Sequence, residues 1–151
     1  MILPKHYSIV SGLGESEYPL VAFDNALLNA GIGDYNLVQV SSILPAQCTY
    51  KEQIDIPKGS ILFAAYAYEI LNFNQHYSVA VATAIPKQPD KNGVIFETSE
   101  EGSNAKENAC KMCQEAMKNR GRDIKEIKSS CVEIKGKENL FVCGISAIVM
   151  W

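Results

Sequence analysis

Histidine is nearly absent from this chain: His6 and His76 are the only two, and they lie far apart in sequence. Neither belongs to a paired acidic motif, so nothing supports a histidine-bound metal or a hydrolytic triad. A dominant charge is missing as well. The formal net charge of −3 and a pI near 5.4 give no electrostatic case for nucleic acid or an anionic membrane surface. The longest apolar run, "SILFAAYAYEIL" (residues 60–71), is far short of a bilayer span and is broken by Glu69. Met1-Ile2-Leu3 is followed at once by Pro4 and Lys5, with no basic region and no secretory hydrophobic segment. The chain therefore reads as cytoplasmic. Its five cysteines (Cys48, Cys110, Cys113, Cys131 and Cys143) are odd in number and scattered, which fits a reducing compartment rather than a disulfide framework. The "CKMC" at 110–113 falls in a helical pattern and has no second Cys/His pair. It reads as small apolar helix residues, not as a redox or zinc motif.

What is present is the composition of one globular domain, residues 1–151, of a size that folds without disulfides. A strand is expected over 6–11, "HYSIVS", followed by a polar loop, "GLGESEY". The pair Gly12 and Gly14 has the look of a phosphate loop, but no lysine and no third glycine follow where that chemistry needs them. From about Glu17 to Ala30 the period becomes helical, with Leu20, Phe23, Leu27 and Ala30 as the apolar stripe, Asp24 at its edge and Gly31 as the stop. A strand from Asn36 to Val40 comes next, then an irregular connection over 43–59 holding Pro45, Pro57 and Gly59. Three β-rich runs (60–71, 77–86 and 93–98) precede a helix over 102–120. That helix has Ala105, Ala109, Met112 and Ala116 inward and a charged face outward, and two last strands close the chain. Two helices and about seven strands predict an α+β fold, a layered α/β/β/α sandwich with the sheets packed together and the helices outside.

The stretch "NLVQVSSILPAQC" (36–48) places two hydroxyls, Ser41 and Ser42, where a buried-looking strand ought to finish in a turn. By itself a Ser-Ser pair reads as a strand end whose hydroxyls satisfy loose backbone groups. Its surroundings say more. "PLVAFDNALLNAGIGDYNLVQVSSILP" closely resembles the segment that defines the pyruvoyl-dependent arginine decarboxylases, in which a helix and a short strand lead to a Ser-Ser-Ile-(Met/Leu)-Pro cleavage site. The resemblance continues through "PKGSILFAAYAYEI", "SVAVATAIPK" and "GVIFE" to the closing "AIVMW", and so covers nearly the whole chain.

The resemblance implies a chain that cuts itself between Ser41 and Ser42, giving a β chain of residues 1–41 and an α chain of 42–151. The Ser42 hydroxyl would attack the Ser41 carbonyl to form an ester. β-Elimination and loss of ammonia would then leave a pyruvoyl group at the new amino end. The family match gives Asn36 a part in that step, as a donor to the developing oxyanion. The pyruvoyl ketone would form a Schiff base with the substrate amine and take up the electrons left by decarboxylation, the task otherwise done by pyridoxal phosphate; no metal and no pyridoxal phosphate are expected. Glu97 matches the general acid that protonates the α-carbon, and Asp24 the carboxylate that receives the guanidinium of L-arginine. Leu20, Gly33 and Tyr35 match positions lining the substrate pocket, Tyr35 replacing a small aliphatic residue and Asp34 a neutral one. The products would be agmatine and CO2. The resemblance further implies a homotrimer of αβ units with active sites between protomers. Two alternatives remain open at this point: a pyruvoyl decarboxylase for histidine, lysine or ornithine, or an unprocessed, non-catalytic homologue.

Overall fold

The computed structural model describes residues 1–151. In chain order the elements are β1 (His6–Ser16), α1 (Pro19–Asn29), β2 (Asn36–Gln39), β3 (Ile43–Leu44), β4 (Thr49–Tyr50), β5 (Ile61–Leu71), β6 (His76–Pro86), β7 (Gly93–Glu101), α2 (Ala105–Asn119), β8 (Ile124–Lys135) and β9 (Phe141–Met150). Alternation along β9 dictates the layering. Cys143, Ile145, Ala147 and Val149 point one way, Val142, Ser146, Ile148 and Met150 the other, and all are buried. A strand apolar on both faces has to be covered on both.

Two sheets meet that requirement. One has five strands in the order β2-β5-β9-β1-β4, the other four in the order β3-β7-β6-β8. Between them lie Tyr7, Ala65, Ile148 and Met150 of the first sheet against Leu44, Val81 and Ile95 of the second. Helix α1 covers the outer face of the five-stranded sheet, and α2 covers the outer face of the other. The expected α/β/β/α sandwich is the observed one. Polar groups inside it are paired: the hydroxyl of Ser11 meets those of Ser130 and Ser146 at 2.6 and 2.8 Å, and Ser146 donates to the Val79 carbonyl of the facing sheet at 2.8 Å.

Four local readings need correction. Strand β1 does not stop at Ser11 but runs to Ser16. Gly12 and Gly14 lie in it because α1 presses on them: a Cβ at either would collide with the Ala26 backbone. That contact turns α1 so that Ala22, Ala26 and Ala30 face the sheet, while Leu20, at 79 % exposure, points away. In α2 the buried stripe is Ala105, Ala109, Cys113, Ala116 and Met117, and Met112 is only half-buried. The Cys113 thiol packs in the helix–sheet core, and burial raises its pKa to about 12. The connection expected to be irregular contains the two-residue strands β3 and β4. No helix is long and apolar enough to cross a membrane.

Candidate active site

The two serines sit where the chain changes sheets. Strand β2 is the edge of the five-stranded sheet, parallel to β5, and its ladder holds as far as the Val40 amide, which donates to the Ala64 carbonyl at 3.0 Å. Two residues later the Ser42 carbonyl accepts from the Ile95 amide at 2.8 Å, and Ile43 and Leu44 pair with Val94 and Gly93 of β7. Ser41 alone separates the last bond to one sheet from the first bond to the other. A strand ends in hydroxyls instead of a turn because the chain crosses the sandwich there, and the Ser41–Ser42 peptide bond is the crossing. Ser41 is exposed and Ser42 half-buried. Both sides of that bond are fixed by backbone, which is what an intramolecular attack needs from its scaffold.

Glu97 belongs to the same end of the molecule. It lies two residues beyond Ile95 on β7, and therefore on the same face, about 7 Å further along the strand. That face looks between the sheets, near an edge where β2 covers β5 only as far as Ala64 and β3 covers β7 only at Gly93 and Val94. Glu97 is half-buried, and its Oε2 is shut off from solvent with no hydrogen-bond partner. Burial raises its pKa above the ordinary carboxyl range, because losing water penalises the charged form. Beside it the two sheets are tied by Ser99, whose hydroxyl donates to the Glu69 carboxylate at 2.8 Å.

The remaining expected residues lie along the outer side of α1 and in the turn that leads from it into β2. Leu20 and Asp24 stand one helical turn apart on the outer side of α1, both exposed. Asp24 takes part in none of the six ion pairs of the chain. Gly33 and Tyr35 lie in the turn after α1, where Gly33 packs against Leu28 with no room for a Cβ. The Tyr35 hydroxyl donates to the Ile56 carbonyl at 3.2 Å, and the Lys58 ammonium lies 4.7 Å over its ring. Asn36 opens β2 and donates its side-chain amide to the Gly59 carbonyl at 2.9 Å. From Asn36 to Val40 the chain climbs at strand rise, about 13 Å, more than an asparagine side chain spans. One chain thus carries two half-sites: Leu20 and Asp24 on the outer side of α1 with Gly33, Tyr35 and Asn36 where the chain turns into β2, and Ser41, Ser42 and Glu97 where β2 gives way to β3.

The backbone partners escaped sequence reasoning: the Ile95 amide on Ser42, the Ala64 carbonyl under Val40 and the Gly59 carbonyl on Asn36. Backbone groups have no residue signature, and these pairings depend on which strands neighbour each other. Glu69 also gave no signal, since its only mark in the sequence is that it interrupts an apolar run.

Comparison with known proteins points the same way as the sequence resemblance. A family model described as pyruvoyl-dependent arginine decarboxylase matches residues 6–151. A protein of Methanocaldococcus jannaschii named pyruvoyl-dependent arginine decarboxylase is 37% identical over 154 residues, covering 99% of this chain and 91% of its own length. Proteins of the same name from Thermococcus kodakarensis and Methanopyrus kandleri are 36% and 30% identical, over 98% and 100% of this chain and 96% and 99% of their own lengths.

Proposed function

The chain belongs to the pyruvoyl-dependent arginine decarboxylase family, and on that premise we propose that it cuts itself at Ser41–Ser42 and decarboxylates L-arginine to agmatine and CO2. The observation that carries the proposal is the crossing itself. A hydroxyl that must attack the preceding carbonyl needs both flanks of the bond held still, and the Ala64 carbonyl and Ile95 amide hold them. The site also fits the pyruvoyl group that Ser42 would become, because a carboxyl on the same face, that of Glu97, keeps an oxygen buried and unpartnered. That group supplies the carbonyl that binds the substrate amine and takes up its electrons. Glu97 does the rest of the chemistry from this half-site. Burial raises its pKa and so favours the protonated form, from which a carboxyl oxygen delivers its proton to the α-carbon after CO2 leaves.

The other half-site belongs to substrate recognition. Asp24 is unpaired, and a carboxylate suits the planar fork of a guanidinium. Leu20, Gly33 and Tyr35 line the space beside it, and Asn36 assists the cleavage step. The two halves complete each other between chains: the outer side of α1 and the turn after it in one protomer meet the Ser42 end of the next. Such a head-to-tail contact closes into a ring, here a homotrimer of αβ units. The outward side chains of α1, among them Leu20, Val21 and Leu28, are at least half or nearly half exposed and support a face made to be covered.

Intact-mass measurement of the purified protein, with CO2 release from arginine, histidine, lysine, ornithine and aspartate, tests the reading. We expect two chains parting after residue 41, a blocked amino end at 42, and arginine as the preferred substrate. An uncut 16.6 kDa chain that leaves arginine untouched would overturn the proposal. Equal turnover of a substrate without a guanidinium would remove the role given to Asp24.

A further inference from the structure

Glu69 is a half-buried carboxylate that the proposed chemistry does not use. It stands on β5 beyond Ala64, where β2 no longer covers the strand. It takes part in none of the six ion pairs of the chain. What it holds is a hydroxyl: the Ser99 Oγ donates to its Oε2 at 2.8 Å. Ser99 follows Glu97 by two residues on β7 and so shares its face. Their Cα atoms lie about 7 Å apart, a gap that a glutamate side chain crosses most of the way. Ser99 is thus a donor within reach of Glu97, yet its proton goes to Glu69 and the Glu97 Oε2 has no partner.

We propose that Glu69 and Ser99 are positioning residues for the acid: by taking the Ser99 proton, Glu69 denies Glu97 a hydrogen-bond donor and so favours its protonated form. The inference rests on the reading of Glu97 as the proton donor. A hydroxyl has one proton and two lone pairs. Given to Glu97, the proton would stabilise the carboxylate, because a hydrogen bond to the charged form favours that form. With the proton committed to Glu69, Ser99 offers Glu97 only lone pairs, which a protonated carboxyl can use and a carboxylate cannot. The rest of the surroundings do not compete. Val81 and Val79 flank Glu97 and Ser99 from β6, and Ala65, Ala67 and Ile148 line the inner side of the facing sheet. The hydroxyl of Ser146 is given to the Val79 carbonyl. Titratable neighbours are Glu69 of β5, Tyr77 near the start of β6, Glu101 at the end of β7 and, through the sheet, Cys113 of α2. Strands β2, β3 and β9 present none on this side, and no cation is among them.

The test is the alkaline limb of the kcat–pH profile, where the acid loses its proton. Glu69→Ala frees the Ser99 hydroxyl for Glu97 and should move that limb to lower pH by about one unit, the worth of one hydrogen bond to a charged group. Glu69→Gln keeps an acceptor for Ser99 without the charge and should leave the limb in place. A limb that moves equally in both variants would assign the effect to the Glu69 charge and overturn the inference. Adding Ser99→Ala to Glu69→Ala removes the donor and should return the limb, which a mere loss of packing would not do. NMR titration of the Glu97 carboxyl in the uncut Ser42→Ala chain reads the same shift without turnover, should the active variants prove too weak to assay. A limb and a carboxyl titration that Glu69→Ala does not move would overturn the inference and leave Glu97 as the acid. Full turnover by Glu97→Gln would remove both.

Discussion

At the scale of single residues, the proposed chemistry divides between a nucleophile and an acid, and two substitutions separate them. Ser42→Ala removes the attacking hydroxyl but leaves the backbone that pins the crossing, so the chain should fold and stay uncut on a denaturing gel. Glu97→Gln should cut, since the attacking hydroxyl belongs to Ser42, and should lose about 10²- to 10⁴-fold in kcat, the usual worth of a general acid. Normal turnover would mean that another group delivers the proton. The burial of Glu97 also has a consequence for stability. Its pKa in the folded chain is raised above the unfolded value, so the folded state favours the neutral form. That contribution is whole below the unfolded carboxyl range and is lost as pH rises through the folded pKa. Compared in the uncut Ser42→Ala background, the chain carrying Glu97→Gln should have the higher urea midpoint at neutral and alkaline pH. The gap should close as the pH falls toward the carboxyl range. Coincident midpoints at every pH would show that the folded chain leaves Glu97 solvated.

At the scale of elements, α1 and β1 explain what the sequence made legible and what it hid. The helix was plain from its period and its Gly31 stop, and Phe23, Leu27 and Ala30 of the expected stripe do pack on the core, but Leu20 points away and the closest contacts fall to Ala22 and Ala26. Here the sheet presents Gly12 and Gly14, the helix presents Ala22, Ala26 and Ala30, and the two backbones meet too closely for leucine. The same closeness extends β1 through glycines that otherwise read as a loop. Strands β3 and β4 were hidden for another reason: two residues show no alternation, and only the neighbours β7 and β1 define them. Ser41, Ser42, Glu97, Asp24 and Asn36 were found through a motif, but their division between the outer side of α1, the start of β2 and the crossing depends on sheet order and layering, which no local pattern encodes. The helix contact makes its own prediction. Gly14→Ala puts a methyl against the Ala26 backbone and should cost about 1–3 kcal/mol by forcing α1 off the sheet. Denaturant unfolding of the uncut Ser42→Ala chain measures it, and an unchanged midpoint would mean that α1 gives way freely.

At the scale of the whole molecule, the decisive fact is the separation of Asp24 from Glu97. Helix α1 lies outside the five-stranded sheet and Glu97 faces the space between the sheets, so that sheet stands between Asp24 and Glu97. A site that uses both must borrow one from another chain. Complementation follows directly. Asp24→Asn trimers should bind arginine poorly and Glu97→Gln trimers should turn it over poorly. Co-expression of the two should assemble mixed rings in which an intact Asp24 of one protomer faces an intact Ser42–Glu97 half-site of the next. With random assembly at equal amounts about one site in four is whole, so the mixture should recover roughly a quarter of wild-type activity, far above either parent. Mixing the two purified homotrimers without exchange of subunits should recover nothing, which guards against a contaminant. If co-expressed rings gain no activity over the parents, the two carboxylates serve the same chain. The helix would then have to reach Ser42 by a rearrangement, not by a neighbour.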